Sequence, residues 1–136
     1  MLYYLDSCIW INFFNREGNF NQIAKKLIIK ISSNNDKIIV STIVLKELES
    51  ILEERFNIVN KYFINCDYII LTKTVNEDYN VARKIEYKNN FNIGFYDCLH
   101  IVISKRLDSI LITRDNKMID IAKEYVTVNK PEELVR

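Results

Sequence analysis

Apolar side chains recur along this chain in two rhythms: short unbroken runs, and longer stretches where they return every three or four positions. Residues 2–5 form the first run and stop at Asp6-Ser7, after which 8–14 reads as a helix that Asp6 or Ser7 can cap. Residues 19–31 carry apolar side chains at Ile23, Ala24, Leu27, Ile28 and Ile31, a helical spacing, and lead into a β-rich run at 38–41. Thr42 is placed to cap a helix through about residue 55; helical spacing continues to 63, and 67–71 reads as a third strand. Residues 76–88 and 95–107 read as helices, 109–113 as a strand, 118–123 as a short helix and 125–128 as a last strand. Strands alternating with helices predict parallel pairing through right-handed crossovers, with helices on both sheet faces.

Punctuation is sparse. With two glycines and one proline there is no flexible linker, repeat or low-complexity tract, and residues 1–136 read as a single domain. A formal net charge of +1 excludes a broad electropositive field, so contact with a nucleic acid must be local. Cys8, Cys66 and Cys98 are odd in number, widely spaced and set among apolar residues, the pattern of reduced core thiols in a cytoplasmic protein. Neither a basic leader nor a bilayer-length apolar segment is present, so no membrane association is expected.

Against this background Asp6, Glu47, Asp97 and Asp115 stand out, each at a strand end or on a helix where the apolar pattern would not choose an acid. Asp6 follows the first strand and Asp115 the fourth, so both sit at the same edge of a parallel sheet and approach each other if those strands are neighbours. Taken singly, each is better explained as a helix cap. Glu47 lies at the margin of a stripe formed by Val44, Leu48, Ile51 and Leu52, while Lys46, Glu49 and Glu53 face away. Asp97 is more demanding, because Phe95, Cys98, Leu99, Ile101, Val102 and Ile103 make its helix apolar around most of its circumference. His100 and Ser104 share its narrow polar face, which leaves two readings: a buried Asp97–His100 hydrogen bond, or a carboxylate facing a metal with His100 beside it. Four carboxylates in one crevice would repel each other unless a divalent cation sat among them.

Tyr4-Leu5-Asp6-Ser7, the helical segment from Thr42 to Glu47, Tyr96-Asp97-Cys98-Leu99-His100 and Ile112-Thr113-Arg114-Asp115 together resemble the PIN-domain ribonucleases, most closely the small VapC-like toxins. The resemblance runs the length of the chain and extends to the ending Asn129-Lys130-Pro131-Glu132-Glu133-Leu134. It implies a three-layer α/β/α sandwich around a mainly parallel sheet, and a crevice in which Asp6, Glu47, Asp97 and Asp115 hold Mg²⁺ or Mn²⁺ for hydrolysis of RNA. Asp6 and Asp97 would be the central ligands, Asp115 and Glu47 would complete the site or hold the attacking water, and Thr113 and Ser7 would orient them. A cognate antitoxin and a second copy of the chain are the implied partners. Arg114, Lys117 and Lys46 could add positive charge near the scissile phosphate, whereas Tyr3, Tyr4, Trp10, Phe13 and Phe14 suit core packing better than base stacking.

Other classes fit less well. A receiver domain needs an acid after the third strand, where Leu71-Thr72-Lys73 stands, and a haloacid-dehalogenase-like phosphatase needs an Asp where Cys8 stands. An RNA-processing nuclease that is not a toxin, and a non-catalytic RNA- or protein-binding module, remain as alternatives.

Overall fold

The computed structural model describes residues 1–16 and 18–135. Five strands, β1 (Leu2–Leu5), β2 (Lys37–Ser41), β3 (Ile69–Thr72), β4 (Ile110–Ile112) and β5 (Val128–Asn129), form one all-parallel sheet in the order β3-β2-β1-β4-β5. Helices α1 (Ser7–Phe14), α2 (Gly18–Ser33), α3 (Thr42–Leu52), α4 (Phe56–Asn65), α5 (Asn76–Lys88), α6 (Phe95–Arg106), α7 (Asn116–Ala122) and α8 (Pro131–Leu134) connect and flank it. A 3₁₀ turn, Glu53–Arg55, joins α3 to α4. The strand order moves outward from β1 in one direction, then crosses back to β4 and β5. With right-handed connections, α1 to α4 therefore lie on one face and α5 to α7 on the other, which is the expected α/β/α sandwich, while α8 returns to pack against α2.

The sheet is buried through its middle. Tyr4, Leu5, Ile38, Ile39, Val40, Leu111 and Ile112 are inaccessible or nearly so, as central parallel strands covered on both faces must be. On one side α1 packs against α2 and α3, and on the other α5 packs against α6. Trp10 and Phe63 meet edge to face at 4.8 Å, and Phe13, Phe14 and Tyr62 complete an aromatic cluster, so these residues serve the core as expected. Among the described residues, no helix is long and apolar enough to cross a membrane.

Several local expectations shift. Ser41, not Thr42, caps α3, its hydroxyl accepting from the Val44 N–H at 3.2 Å, because Thr42 is already the first helical residue. The buried stripe of α3 runs through Ile43, Val44, Leu48 and Leu52, whereas Ile51 is 54% exposed. The third strand begins two residues later than its composition suggests, since Cys66 to Tyr68 turn the chain before Ile69 pairs with Ile38. The last strand is displaced likewise to Val128–Asn129: residues 123–127 close α7 before pairing with β4 begins.

Candidate active site

β1 and β4 are hydrogen-bonded neighbours, and their carboxyl ends open at the point where the strand order reverses. Asp6 leaves β1 there and caps α1, its Oδ1 accepting from the Ser7 N–H at 2.7 Å. Its Oδ2 accepts from the Thr113 hydroxyl at 2.8 Å, and the same hydroxyl oxygen accepts from the Asp115 N–H at 3.2 Å. Thr113 therefore ties the ends of β1 and β4 together. The two roles open for it, closing the strand and orienting an acid, are served by one set of bonds. Asp115 caps α7, its Oδ1 accepting from the N–H groups of Lys117 and Met118 at 3.0 and 3.2 Å, and is exposed at the rim.

Glu47 reaches the same edge from α3. Its Oε1 accepts from His100 Nε2 at 2.5 Å, while that nitrogen lies 3.6 Å from Asp6 Oδ1. His100 is fully buried, and its partner is the glutamate across the crevice instead of Asp97 one turn away on its own helix. On its far side, Nδ1 and the Tyr4 hydroxyl are 2.6 Å apart, and that hydroxyl is 2.6 Å from Ser41 Oγ. The network closes on itself: Ser41 caps the helix that carries Glu47, and Tyr4 stands on the strand that delivers Asp6. A tyrosine buried in a central strand must find a partner for its hydroxyl, and this was the one sign of the network in the sequence. Ser104, the other polar residue of the α6 face, turns away to Ser109, 2.8 Å between their hydroxyls.

Charge, not geometry alone, marks the crevice. The Asp97 carboxyl is pushed up to about 6, first by burial and then by the negative charge of Asp6, with His100 pulling the other way and Asp115 and Glu47 adding to the rise. Burial, the largest influence on His100, favours its neutral ring, but the hydrogen bond to Glu47 and the charges of Asp6, Glu47 and Asp97 together raise its pKa. One imidazole is thus shared among three carboxylates. Gly94 caps α6 beside them, and a Cβ there would meet Asp97 Oδ2 at 3.7 Å, an ordinary contact.

One donor atom from each of Asp6, Glu47 and His100 lies within 4.8 Å of the others, close enough to share an ion. His100 is the least suited of the three, because its Nε2 proton is committed to Glu47. The remaining donors are carboxylate oxygens, the chemistry that hard cations such as Mg²⁺ and Mn²⁺ prefer. Cys8 Sγ stands 3.5 Å from Asp6 Oδ2, but burial, then the Asp6 charge, push the thiol up to about 12, so it offers no thiolate. Asp97 and Asp115 lie outside the tight trio; the charge of Asp97 acts on His100, and that of Asp115 on Asp97.

Of the basic residues expected near the site, Arg114 is spent locally: it pairs with Glu132, donates from Nε to Asn12 Oδ1 at 3.1 Å and lies over the Phe20 ring at 3.9 Å. Lys46 and Lys117 are exposed.

The family model for the PIN domain matches residues 3–124. No curated protein matches the sequence significantly. Among solved structures, VapBC-1 from nontypeable Haemophilus influenzae superposes with a TM-score of 0.72 at 19% identity, covering 97% of this chain and 99% of that one. VapBC2 from Rickettsia felis, bound to a DNA fragment from its promoter, gives 0.71 at 18% identity over 96% and 98%. VapC20 from Mycobacterium tuberculosis, a sarcin-ricin loop cleaving toxin, gives 0.73 at 15% over 93% and 98%. At these identities the likeness is one of fold.

Proposed function

Since the chain belongs to the PIN-domain family, we propose that it is a divalent-metal-dependent endoribonuclease, the toxin of a toxin-antitoxin pair. The observation that carries this reading is the convergence of Asp6, Glu47, Asp97 and Asp115, from four separate elements, on the crevice between β1 and β4, where burial first, and then the charges of Asp6, Asp115 and Glu47, lift Asp97 to about 6. Acids crowded until one resists ionisation are a site waiting for positive charge.

Asp6 and Asp97 would be the central ligands, with Glu47 and Asp115 completing the set. The ion, when bound, polarises the scissile phosphate and lowers the pKa of the attacking water. The chain's own part is positional. Ser7 N–H and the Thr113 hydroxyl hold both oxygens of Asp6, and His100 holds Glu47 from behind, so the carboxylates meet the ion already oriented. Glu47 and Asp115 face the crevice as acceptors for the proton released by water. A cognate antitoxin, whose C-terminal segment would occupy the acidic crevice, and a second copy of this chain are the partners proposed. VapBC complexes among the structural neighbours support the first. One domain over residues 1–136 and a cytoplasmic location accord with this reading.

The test is RNA cleavage by the purified protein with chelator, then with Mg²⁺ or Mn²⁺ restored, for wild type and Asp97→Asn. Wild type should cleave only with the ion, and the variant should lose more than about 100-fold while keeping its fold. Cleavage that persists in chelator, or is undiminished in the variant, would refute the mechanism. A small antitoxin gene beside this one would separate toxin from processing nuclease.

A further inference from the structure

If the acidic crevice cuts RNA, the rest of the strand needs somewhere to lie, and the crevice repels phosphate on every side but that of the ion. Beside it, between the end of α1, the start of α2 and the 3₁₀ turn, is a cavity of about 900 Å³ lined by Asn12, Asn15, Arg16, Asn19, Phe20 and Arg55, with Phe14 and Gly18. We propose that this cavity is the RNA-strand subsite, with Arg16 and Arg55 taking phosphates, the asparagine amides reading base edges and Phe20 stacking a base. The proposal rests on the nuclease reading and adds to it the path of the substrate.

Three observations point the same way. The first is charge. No described carboxylate lines the cavity, and neither Arg16 nor Arg55 makes an ion pair among the described residues; Arg55 only donates from Nη1 to Asn15 Oδ1 at 3.5 Å. In a chain of net charge +1, two guanidinium groups that line one cavity and are paired with no described carboxylate are a local concentration of the charge a polyanion requires. The second is lining chemistry. Three side-chain amides offer donors and acceptors together, and Phe20 is 53% exposed although the Arg114 guanidinium lies over its ring. A ring with one side occupied by a cation and much of its surface still free suits a base as its next neighbour. The third is continuity. Arg114, adjacent in sequence to Asp115, donates to Asn12 in the cavity wall, and Asn12 stands six residues after Asp6, about 9 Å along α1. Site and cavity therefore share a wall.

An apolar groove of about 560 Å³ adjoins the cavity and shares Phe14, Arg16 and Arg55 with it, while adding Phe13, Leu52, Ile58, Val59, Tyr62 and Lys25. That groove suits an acidic amphipathic peptide. The amide-rich cavity, whose wall leads to the acids, suits a nucleic acid.

The test is equilibrium binding of a short single-stranded RNA, followed by fluorescence anisotropy in chelator across a salt series. It is paired with cleavage kinetics in Mg²⁺, for wild type, R16Q/R55Q and Phe20→Ala. Each arginine removed should lower the slope of log affinity against log salt by about 0.7. Phe20→Ala should weaken binding about tenfold with the slope unchanged. Both variants should raise KM and leave kcat alone, since neither touches the acids. Wild-type affinity and slope in both variants would overturn the proposal. So would an R16Q/R55Q protein that binds RNA normally but loses an acidic peptide, because the arginines would then belong to a protein-docking face. Wild type that binds RNA in this way but never cleaves it would defeat the nuclease reading and leave the subsite standing. Cleavage by wild type with unchanged KM in the variants would do the reverse.

Discussion

α6 carries a charge cluster at each end, and the two are built on opposite plans. In its last turn Arg106 donates from Nε and Nη2 to the two oxygens of Asp78 on α5, at 2.9 and 3.0 Å, while the Val75 N–H donates to Asp78 Oδ2 at 2.9 Å. Charge is balanced one to one, both carboxylate oxygens are filled, and Asp78 is 1% exposed. In the first turns Asp97 and His100 face Asp6, Glu47 and Asp115, where acids outnumber the imidazole and Asp97 rises to about 6. A satisfied ion pair holds α5 to α6 and asks for nothing further. An unbalanced one stores repulsion that only an added cation or proton relieves. An acid withdrawn at least partly from solvent is common to both; balance is what separates a structural site from a functional one.

The sharpest way to break this contrast is the same substitution at each end. Asp97→Asn should abolish ion-dependent cleavage without lowering stability, because it removes a charge the folded state resists. Asp78→Asn should leave kcat intact but cost about 2–3 kcal/mol in denaturant unfolding, at or below the range for a broken buried pair since Arg106 is partly exposed. Loss of activity at equal folded fraction in the second variant, or of stability in the first, would erase the distinction.

His100→Gln comes next in size. It removes the bond that orients Glu47, so cleavage should fall about 10- to 100-fold. Affinity for Mg²⁺ measured by titration calorimetry should weaken in parallel. Unchanged affinity would mean that Glu47 needs no support from behind.

A pH series without divalent ions sharpens the comparison from the side of stability. Asp97 has a folded pKa raised from 3.8 to about 6, so folding favours its protonated form. Its penalty is absent below about pH 4, grows through the interval and is complete above about pH 6. Stability of wild type relative to Asp97→Asn should therefore fall as pH rises from 4 to 7, as followed by chemical denaturation. A gap that stays constant across that interval would show that the carboxylate is not under charge pressure.

The smallest expected effect is at Tyr4→Phe. Loss of the hydroxyl between His100 and Ser41 should cost about 1–2 kcal/mol, with cleavage reduced only a few-fold, because the Glu47–His100 bond survives. A loss as large as that of His100→Gln would make the tyrosine, and not the histidine, the element that fixes the site.

Much of this molecule was legible before any coordinates. Strands and helices announce themselves by local period, and an acid that interrupts a buried pattern, as Asp97 does in α6, needs no tertiary information to be noticed. Capping and turn geometry also depend on neighbours in sequence, which is why Asp6 was readable as a cap; Ser41 was missed by one position. The limits of β3 and β5 escaped, because they depend on what the partner strand offers, not on the run of apolar residues alone. The bond between His100 and Glu47 was illegible for a stronger reason. Fifty-three residues separate them, and sequence periodicity can place a side chain on a face but cannot say which other face it will meet. Asp78 and Asp97 illustrate the same limit: both are acids at helix starts, the first buried and the second half-buried, and only packing decided that one would find an arginine while the other would find more acid. Residue types determined what each position can do, and the fold determined in whose company it does so, because electrostatic character belongs to neighbours in space.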